Sequence, residues 1–295
     1  QERVAHEWIA AARAGIPDAG RHPVDAVNNL QRKVVGQCGQ AVSITAATST
    51  VTLRGSEGEP MAMRRAKMLL HLVRAMSITI DEGELIAGNR SLLPRMGVIA
   101  PEGAVTWVDR ELDILSTRPQ DRFNITAEQV HELREEVFPY WRGKTLEDIV
   151  ATRVPPDIMK AVRGKAFSLN QTDHAQGHIL PDVETWLQLG ITGLRAKVQE
   201  ARRQPAMQAS DRQIFYDAAE IALTAAQTLF ERYADLAAEM AQRESDPRRA
   251  AELTQIAGNC RHLATDAPET FYQALQAVWF LFVLVQIESN ASSFS

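Results

Sequence analysis

The patterning of this chain predicts a mostly α-helical piece of one domain, on three observations. Apolar residues recur at helical spacing through the second half: Leu187, Ile191, Leu194 and Val198 form one stripe, and Phe215, Ala219, Leu223, Leu229 and Tyr233 another that continues through Leu236 and Met240. Helix-start chemistry stands at Glu59-Pro60, at Thr126 with Gln129 behind it, and at Asp246-Pro247. The third observation is the run from Ala274 to Ile287, interrupted only by Gln276 and Gln286, which is apolar nearly all round and belongs inside a large protein. At about 14 residues it is short of the roughly 20 that a bilayer-crossing helix needs.

Taken in order, Val4, Trp8, Ile9 and Ala12 keep helical spacing until Gly15-Ile16-Pro17 breaks it, which predicts a short surface helix within residues 1–30. The stretch from Cys38 to Thr52 is rich in Ser, Thr and Val, which argues against a helix. Glu59-Pro60 opens a helix with Met61, Met68, Leu69, Leu72 and Met76 on one face, and Ser77-Ile78-Thr79-Ile80 reads as a short extended piece. Pro94 to Pro101 reads as a loop, followed by a helix holding Trp107, Leu112 and Leu115 and by a loop at Pro119. The capping-box helix from Thr126 runs to about Val137, Pro155-Pro156 is a break, and helical hairpins follow from Val183, the one at Asp246-Pro247 running through Cys260.

Composition narrows the class. With 295 residues, 45% of them hydrophobic and 23% charged, there is enough chain for a substantial core. A net charge of -5 with scattered basic residues gives no reason to expect nucleic acid or a membrane surface as partner. Cys38 and Cys260 lie far apart with no CxxC spacing, which suggests neither a disulfide framework nor a zinc or iron-sulfur site. The cytoplasm fits best, and the sequence does not open with a charged segment followed by an apolar one.

Two stretches are dense in chemistry. Residues 168–178 gather Asn170, Gln171, Thr172, Asp173, His174, Gln176 and His178 between helices. Their composition fits a solvated, cap-rich loop as well as a site. His174 and His178 would share a metal only on a helix face, and Gly177 argues against a helix there, so no metal is expected. The second stretch is Glu288, Ser289, Asn290, Ser292 and Ser293, directly behind the apolar run; polar groups at the inner end of a buried element must be hydrogen-bonded or bind something. A domain rarely stops just after its most buried element, so the chain reads as a fragment, poorly soluble by itself. Elsewhere, Glu135-Glu136, Asp109-Arg110-Glu111 and Arg248-Arg249 read as ordinary surface charge, Trp279 and Phe280 as core, and Cys260 as a buried structural residue.

Short motifs in one order carry a resemblance. Trp279-Phe280 leading to Gln286-Ile287-Glu288-Ser289-Asn290 resembles a segment of glycyl radical enzymes, the pyruvate formate-lyase-like superfamily, and the rest agrees: Glu57-Gly58-Glu59-Pro60, Arg64-Arg65-Ala66, Glu84-Leu85-Ile86 with Gly88-Asn89, Pro94-Arg95, Thr117-Arg118-Pro119-Gln120-Asp121, Gly143-Lys144-Thr145 and Gly177-His178 with Pro181-Asp182. The match covers residues 55–295, the N-terminal part of such a domain, after a divergent segment of residues 1–54. It is nearest the branch of diol dehydratases, choline lyase, hydroxyproline dehydratase and sulfonate sulfite-lyases.

The resemblance implies that this mostly α fragment supplies outer helices and first strands of a ten-stranded α/β barrel. It implies a radical elimination in which a thiyl radical, generated by a glycyl radical, takes hydrogen from a small polar substrate, which then expels water, an amine or sulfite. Carried over by position, His178 contacts a substrate hydroxyl, Thr172, His174 and Gln176 set specificity, and Ser292 and Ser293 line the same pocket. Ser292 stands where many members have His, which argues against a glycerol dehydratase. The implied partners are a small-molecule substrate, a radical SAM activating enzyme that installs the radical, and a second copy in a homodimer. The family's Gly-Cys-Val-Glu loop and radical glycine motif do not occur in this sequence, so no catalytic residue is assigned and the chain alone is expected to be inactive. Within the superfamily, an arylacetate decarboxylase, alkylsuccinate synthase or formate C-acetyltransferase type is the alternative; outside it, a non-catalytic helical interaction module.

Overall fold

The structure, a computed structural model, describes residues 39–42, 44–89, 92, 96–119, 122–167, 180–204 and 210–289. The helix expected within residues 1–30 lies outside them. The described residues are mostly helical, as the patterning predicts, with one small parallel sheet. Its central strand β1 (Gly39–Val42) is followed by α1 (Ile44–Gly55) and α2 (Met61–Ala75), which cross over to β2 (Met96–Val98); α3 (Thr106–Leu112) then leads to β3 (Phe123–Asn124) on the other side of β1. Ala41 faces Gly97, and Gly39 faces Phe123. β2 lies inside the stretch expected to be a loop, and Ser77 to Ile80 forms no strand.

Helix α1 overturns the expectation drawn from its Ser, Thr and Val content. Locally those residues disfavour a helix, because their hydroxyls compete for backbone groups. Here the hydroxyls bond within the helix: Ser49 Oγ and Thr50 Oγ1 donate to the Ala46 carbonyl at 3.0 and 2.7 Å, and Thr52 Oγ1 donates to Thr48 at 2.9 Å. Thr50 Oγ1 also accepts from the indole of distant Trp141 at 2.8 Å, so tertiary burial decides the outcome.

Downstream, Thr126 caps α4 (Ala127–Glu132) with the expected capping box, but the helix does not end at Val137. It passes through a π-helical turn, Leu133–Val137, into α5 (Phe138–Trp141). Thr145 with Asp148 makes a second capping box for α6 (Leu146–Arg153), and α7 (Pro156–Arg163) starts at the Pro155-Pro156 break.

The second half is α8 (Val183–Arg203), α9 (Ser210–Arg243), α10 (Pro247–Leu263) and α11 (Phe271–Ser289). α9 has 34 residues, about 50 Å of helix at 1.5 Å per residue, and the other long helices pack along it. α8 is not the single straight helix its stripe implied: Gly190, at φ 58°, kinks it. The Asp266-Ala267 backbone passes so close that a Cβ at Gly190 would stand 2.5 Å from the Ala267 nitrogen, while Thr192 N–H donates across the kink to Thr265 at 2.9 Å.

Two cores meet at α2. Leu69 and Val73 join Leu229, Phe230, Tyr233, Ile256, Cys260 and Phe280 in one, while Met68 and Leu72 join Leu53, Leu133, Val137, Phe138 and Trp141 in the other. Phe280 of α11 lies 4.8 Å from the Phe230 ring and 4.9 Å from the Tyr233 ring, centroid to centroid. The window Phe271–Glu288, with mean hydropathy 1.4, is long and apolar enough for a membrane crossing, beyond the run counted in the sequence. Of that window 28% is buried, on the face that makes its aromatic and amide contacts.

Two surface and core readings need correction. Trp279 is 40% exposed and so is not a core residue, while Phe280 is fully buried. Arg249 is not solvated surface: its side chain is 11% exposed and donates to the carbonyls of Glu84 and Asp81 at 2.8 and 3.0 Å.

Candidate functional site

The residues singled out for substrate contact fall in two stretches, 168–179 and 290–295, so Thr172, His174, Gln176, His178, Ser292 and Ser293 all lie outside the described residues. The described residues form the framework carrying both stretches. Asp182, just past the first, caps α8 by accepting from Thr185 N–H at 3.0 Å, and the Thr185 hydrogen bonds hold its carboxyl below the usual carboxylate range. One turn on, the Trp186 indole donates to the Ala277 carbonyl of α11 at 3.0 Å, tying the framework of the first stretch to that of the second.

α11 is held along its length by the backbone of residues 85–89, part of the Glu84-Leu85-Ile86 and Gly88-Asn89 motifs. Tyr272 Oη donates to the Leu85 carbonyl. The Gln276 amide accepts from Ala87 N–H at 2.8 Å and donates to the Ala87 carbonyl at 2.7 Å, which satisfies a fully buried polar side chain on both sides. Trp279 Nε1 donates to the Gly88 carbonyl at 2.7 Å, and from α9 the Tyr233 hydroxyl accepts from Asn89 N–H at 3.1 Å. Gly88 has to be glycine: its φ is 124°, and a Cβ there would sit 2.5 Å from the Phe280 ring. Burial pushes the Tyr233 hydroxyl up to about 12, so it remains a neutral hydrogen-bonding group.

At the far end of α11 a cavity of about 430 Å³ opens between α1, α2, residues 140–144 and the last helical turn. Its floor is apolar, with Leu53, Met68, Leu72 and Ile287, and its rim is charged. Lys144 Nζ binds Glu57 at 2.7 Å and lies 3.9 Å from the Tyr140 ring centroid, a cation-π arrangement. Arg64 donates from Nη2 to the Leu53 carbonyl at 2.8 Å and to Tyr140 Oη at 3.0 Å, while its buried Nε has no hydrogen-bond partner among the described residues. Arg65 grips Glu288 through Nε at 2.6 Å and the Glu288 carbonyl through Nη2 at 2.9 Å.

The Lys144 hydrogen bond holds the Glu57 carboxyl below its ordinary range, and the Glu288 hydrogen bond raises the Arg65 guanidinium above its own. Among the described residues no cluster of three or more His, Cys, Asp or Glu could hold a metal ion. Cys260 is fully buried within the larger core, and burial pushes its thiol up to about 12, the opposite of what a reactive cysteine needs. Arg64, Arg65, Glu57 and Lys144 stand inside motifs conspicuous in the sequence, yet no role attached to them there; the usable signal was an arginine pair in the first turn of an amphipathic helix, with acidic residues just before it.

The sequence and the fold are similar to those of known proteins. The probable dehydratase YbiW of Escherichia coli is 34% identical over 242 residues, which are 80% of this chain and 30% of YbiW. Isethionate sulfite-lyase of Desulfovibrio desulfuricans is 30% identical over 256 residues, 83% of this chain and 31% of that protein. Among solved structures, the glycerol-bound form of the B12-independent glycerol dehydratase from Clostridium butyricum matches with a TM-score of 0.86 at 30% identity, covering 93% of this chain and 35% of that one. The chain spans about a third of the length of these relatives. The model of the family described as pyruvate formate lyase-like matches residues 23–295, nearly the whole sequence, and the chain therefore belongs to that family.

Proposed function

We propose that this chain is the N-terminal, substrate-orienting part of a glycyl radical lyase or dehydratase that eliminates water, an amine or sulfite from a small polar substrate. The observation that carries the reading is a helix, α11, buried along one face, pinned by its own side chains to residues 85–89 and followed by a dense polar cluster in the sequence, within a chain whose fold follows a glycerol dehydratase at 30% identity. A dehydratase and an isethionate sulfite-lyase among the relatives share one chemical demand: a small hydroxylated molecule must be held with one C–H presented for abstraction and its leaving group facing donors. In this reading His178 meets a substrate hydroxyl and assists departure of the leaving group, Thr172, His174 and Gln176 discriminate among substrates, and Ser292 and Ser293 complete the pocket. The three short strands are the first of the barrel, a radical SAM enzyme activates the protein, and two copies pair in the cytoplasm. Cys260, deep in the core, does not fit the thiol role in radical transfer, so no step is assigned through it.

The test uses the full-length protein, activated anaerobically and assayed against small diols, isethionate and hydroxyproline. His178→Ala should lower turnover by about 10²–10⁴-fold, the usual contribution of a positioned acid or base, while the glycyl signal in electron paramagnetic resonance stays unchanged. Unchanged turnover would remove His178 from the site. A full radical signal with no lyase product from any of these substrates would sink the elimination reading.

A further inference from the structure

We infer that the exposed, charge-free face of α11 is the seat on which the polypeptide beyond residue 295 packs in the full-length protein, through an apolar and uncharged element. The inference rests on one part of the reading above, that this chain is the N-terminal part of a longer one.

From Phe271 to Ile287 no side chain of α11 is charged. A helix on the surface of a soluble protein carries polar and charged residues on its outer side, and a contiguous apolar face there marks a contact. Phe271, Leu275 and Trp279 follow one another at i, i+4 and i+8, all three exposed, and Phe282 lies beside Trp279 with ring centroids 5.5 Å apart. The surface is preformed: the Trp279 indole is fixed by its bond to the Gly88 carbonyl at 2.7 Å, and Tyr272 Oη is fixed on the carbonyl of Leu85, whose own side chain is exposed. With no charge along it, this face has nothing to pair with an ionic partner, and an unpaired charge pressed onto it would be desolvated at a loss. A bilayer does not fit as the cover. The other side of the same helix is committed to protein, through Gln276 on Ala87, the Ala277 carbonyl on the Trp186 indole, and Phe280 against the Phe230 and Tyr233 rings. More of the same polypeptide does fit. The chain spans about a third of the length of its relatives, one of which keeps this fold with a TM-score of 0.86, so most of a relative's polypeptide lies outside the matched part and can supply the cover.

The test uses the full-length protein and two independent probes of position 275. In Leu275→Cys, a maleimide should label that position about 100-fold or more slowly under native conditions than in urea, read by peptide mass spectrometry. With benzoylphenylalanine in place of Leu275, ultraviolet light should join the helix to a peptide beyond residue 295, and the product should keep the mass of a single polypeptide. Labelling at nearly the unfolded rate would overturn the inference. So would cross-links confined to residues 1–295, a product of doubled mass, which would make a second copy the occupant, or protection that appears only when phosphatidylcholine vesicles are added. Failure of the underlying reading looks different. A natural protein that intact mass shows to be no longer than residue 295 would end both, whereas a cross-link beyond residue 295 in a protein that forms no lyase product would sink the elimination reading and leave this seat standing.

Discussion

Gln276 is the fully buried one of the two glutamines in the apolar stretch of α11, and its amide meets both the N–H and the carbonyl of Ala87 inside the core. Burying an amide is tolerable only with its partners in place, and removing it orphans two backbone groups at once. Gln276→Leu should therefore destabilise the protein by roughly 1–3 kcal/mol for each orphaned group, measured by urea unfolding. A variant as stable as the parent would mean that residues 85–89 find other partners. The same segment explains why two side chains defied their local sequence. Arg249 sits in a run that looks like solvated charge, and Trp279 in a run that looks like pure core. Each has instead been recruited to a backbone carbonyl of residues 81–88 more than 150 positions away, and nothing near either residue announces that partner.

At the scale of the element, legibility depends on the distance between partners. Thr126 and Gln129 are three residues apart, and their capping box could be read directly; so could the Asp246-Pro247 start. α1 could not, because what stabilises it is the indole of Trp141, 91 positions on. The polar cluster behind the apolar run was legible, but the partner of its Glu288, Arg65, comes from another helix. The second capping box carries a pH signature. Asp148 accepts from the Thr145 hydroxyl at 2.6 Å, from Gly143 N–H at 2.8 Å and from Thr145 N–H at 3.2 Å. These bonds, the Thr145 hydroxyl foremost, hold its carboxyl below the ordinary range. A depressed folded value means that the contribution is complete above the unfolded value of about 3.9 and is lost as pH falls through the folded one. Asp148→Asn should thus cost about 0.5–2 kcal/mol at pH 7, the range for losing a cap. In urea melts that difference should shrink as pH falls below about 4. An equal penalty at both ends of the range would show that the charge plays no part.

At the scale of the molecule, α2 is the partition that both cores share, and α9 is the spine of the larger one. α11 joins the larger cluster through its inward face, and its Ile287 packs against both clusters. Gln276, Phe280 and Val283 point inward, whereas Phe271 and Leu275, 51% and 44% exposed, fall with Trp279 along a flanking, more exposed face one turn apart, and the Trp279 ring lies 5.5 Å from that of Phe282. A stripe of large apolar side chains at i, i+4 and i+8 is a continuous strip down one face of the helix, and such strips promote association. The 295-residue chain should therefore self-associate, its weight-average mass in sedimentation velocity rising with concentration. Replacing the outward pair, Phe271→Ser with Leu275→Lys, should shift the chain toward monomer. The melting temperature should barely move, because neither side chain contributes to the buried core. A monodisperse monomer across the concentration range, or association unaltered by the double substitution, would show that the exposed face of α11 does not govern the behaviour of this chain.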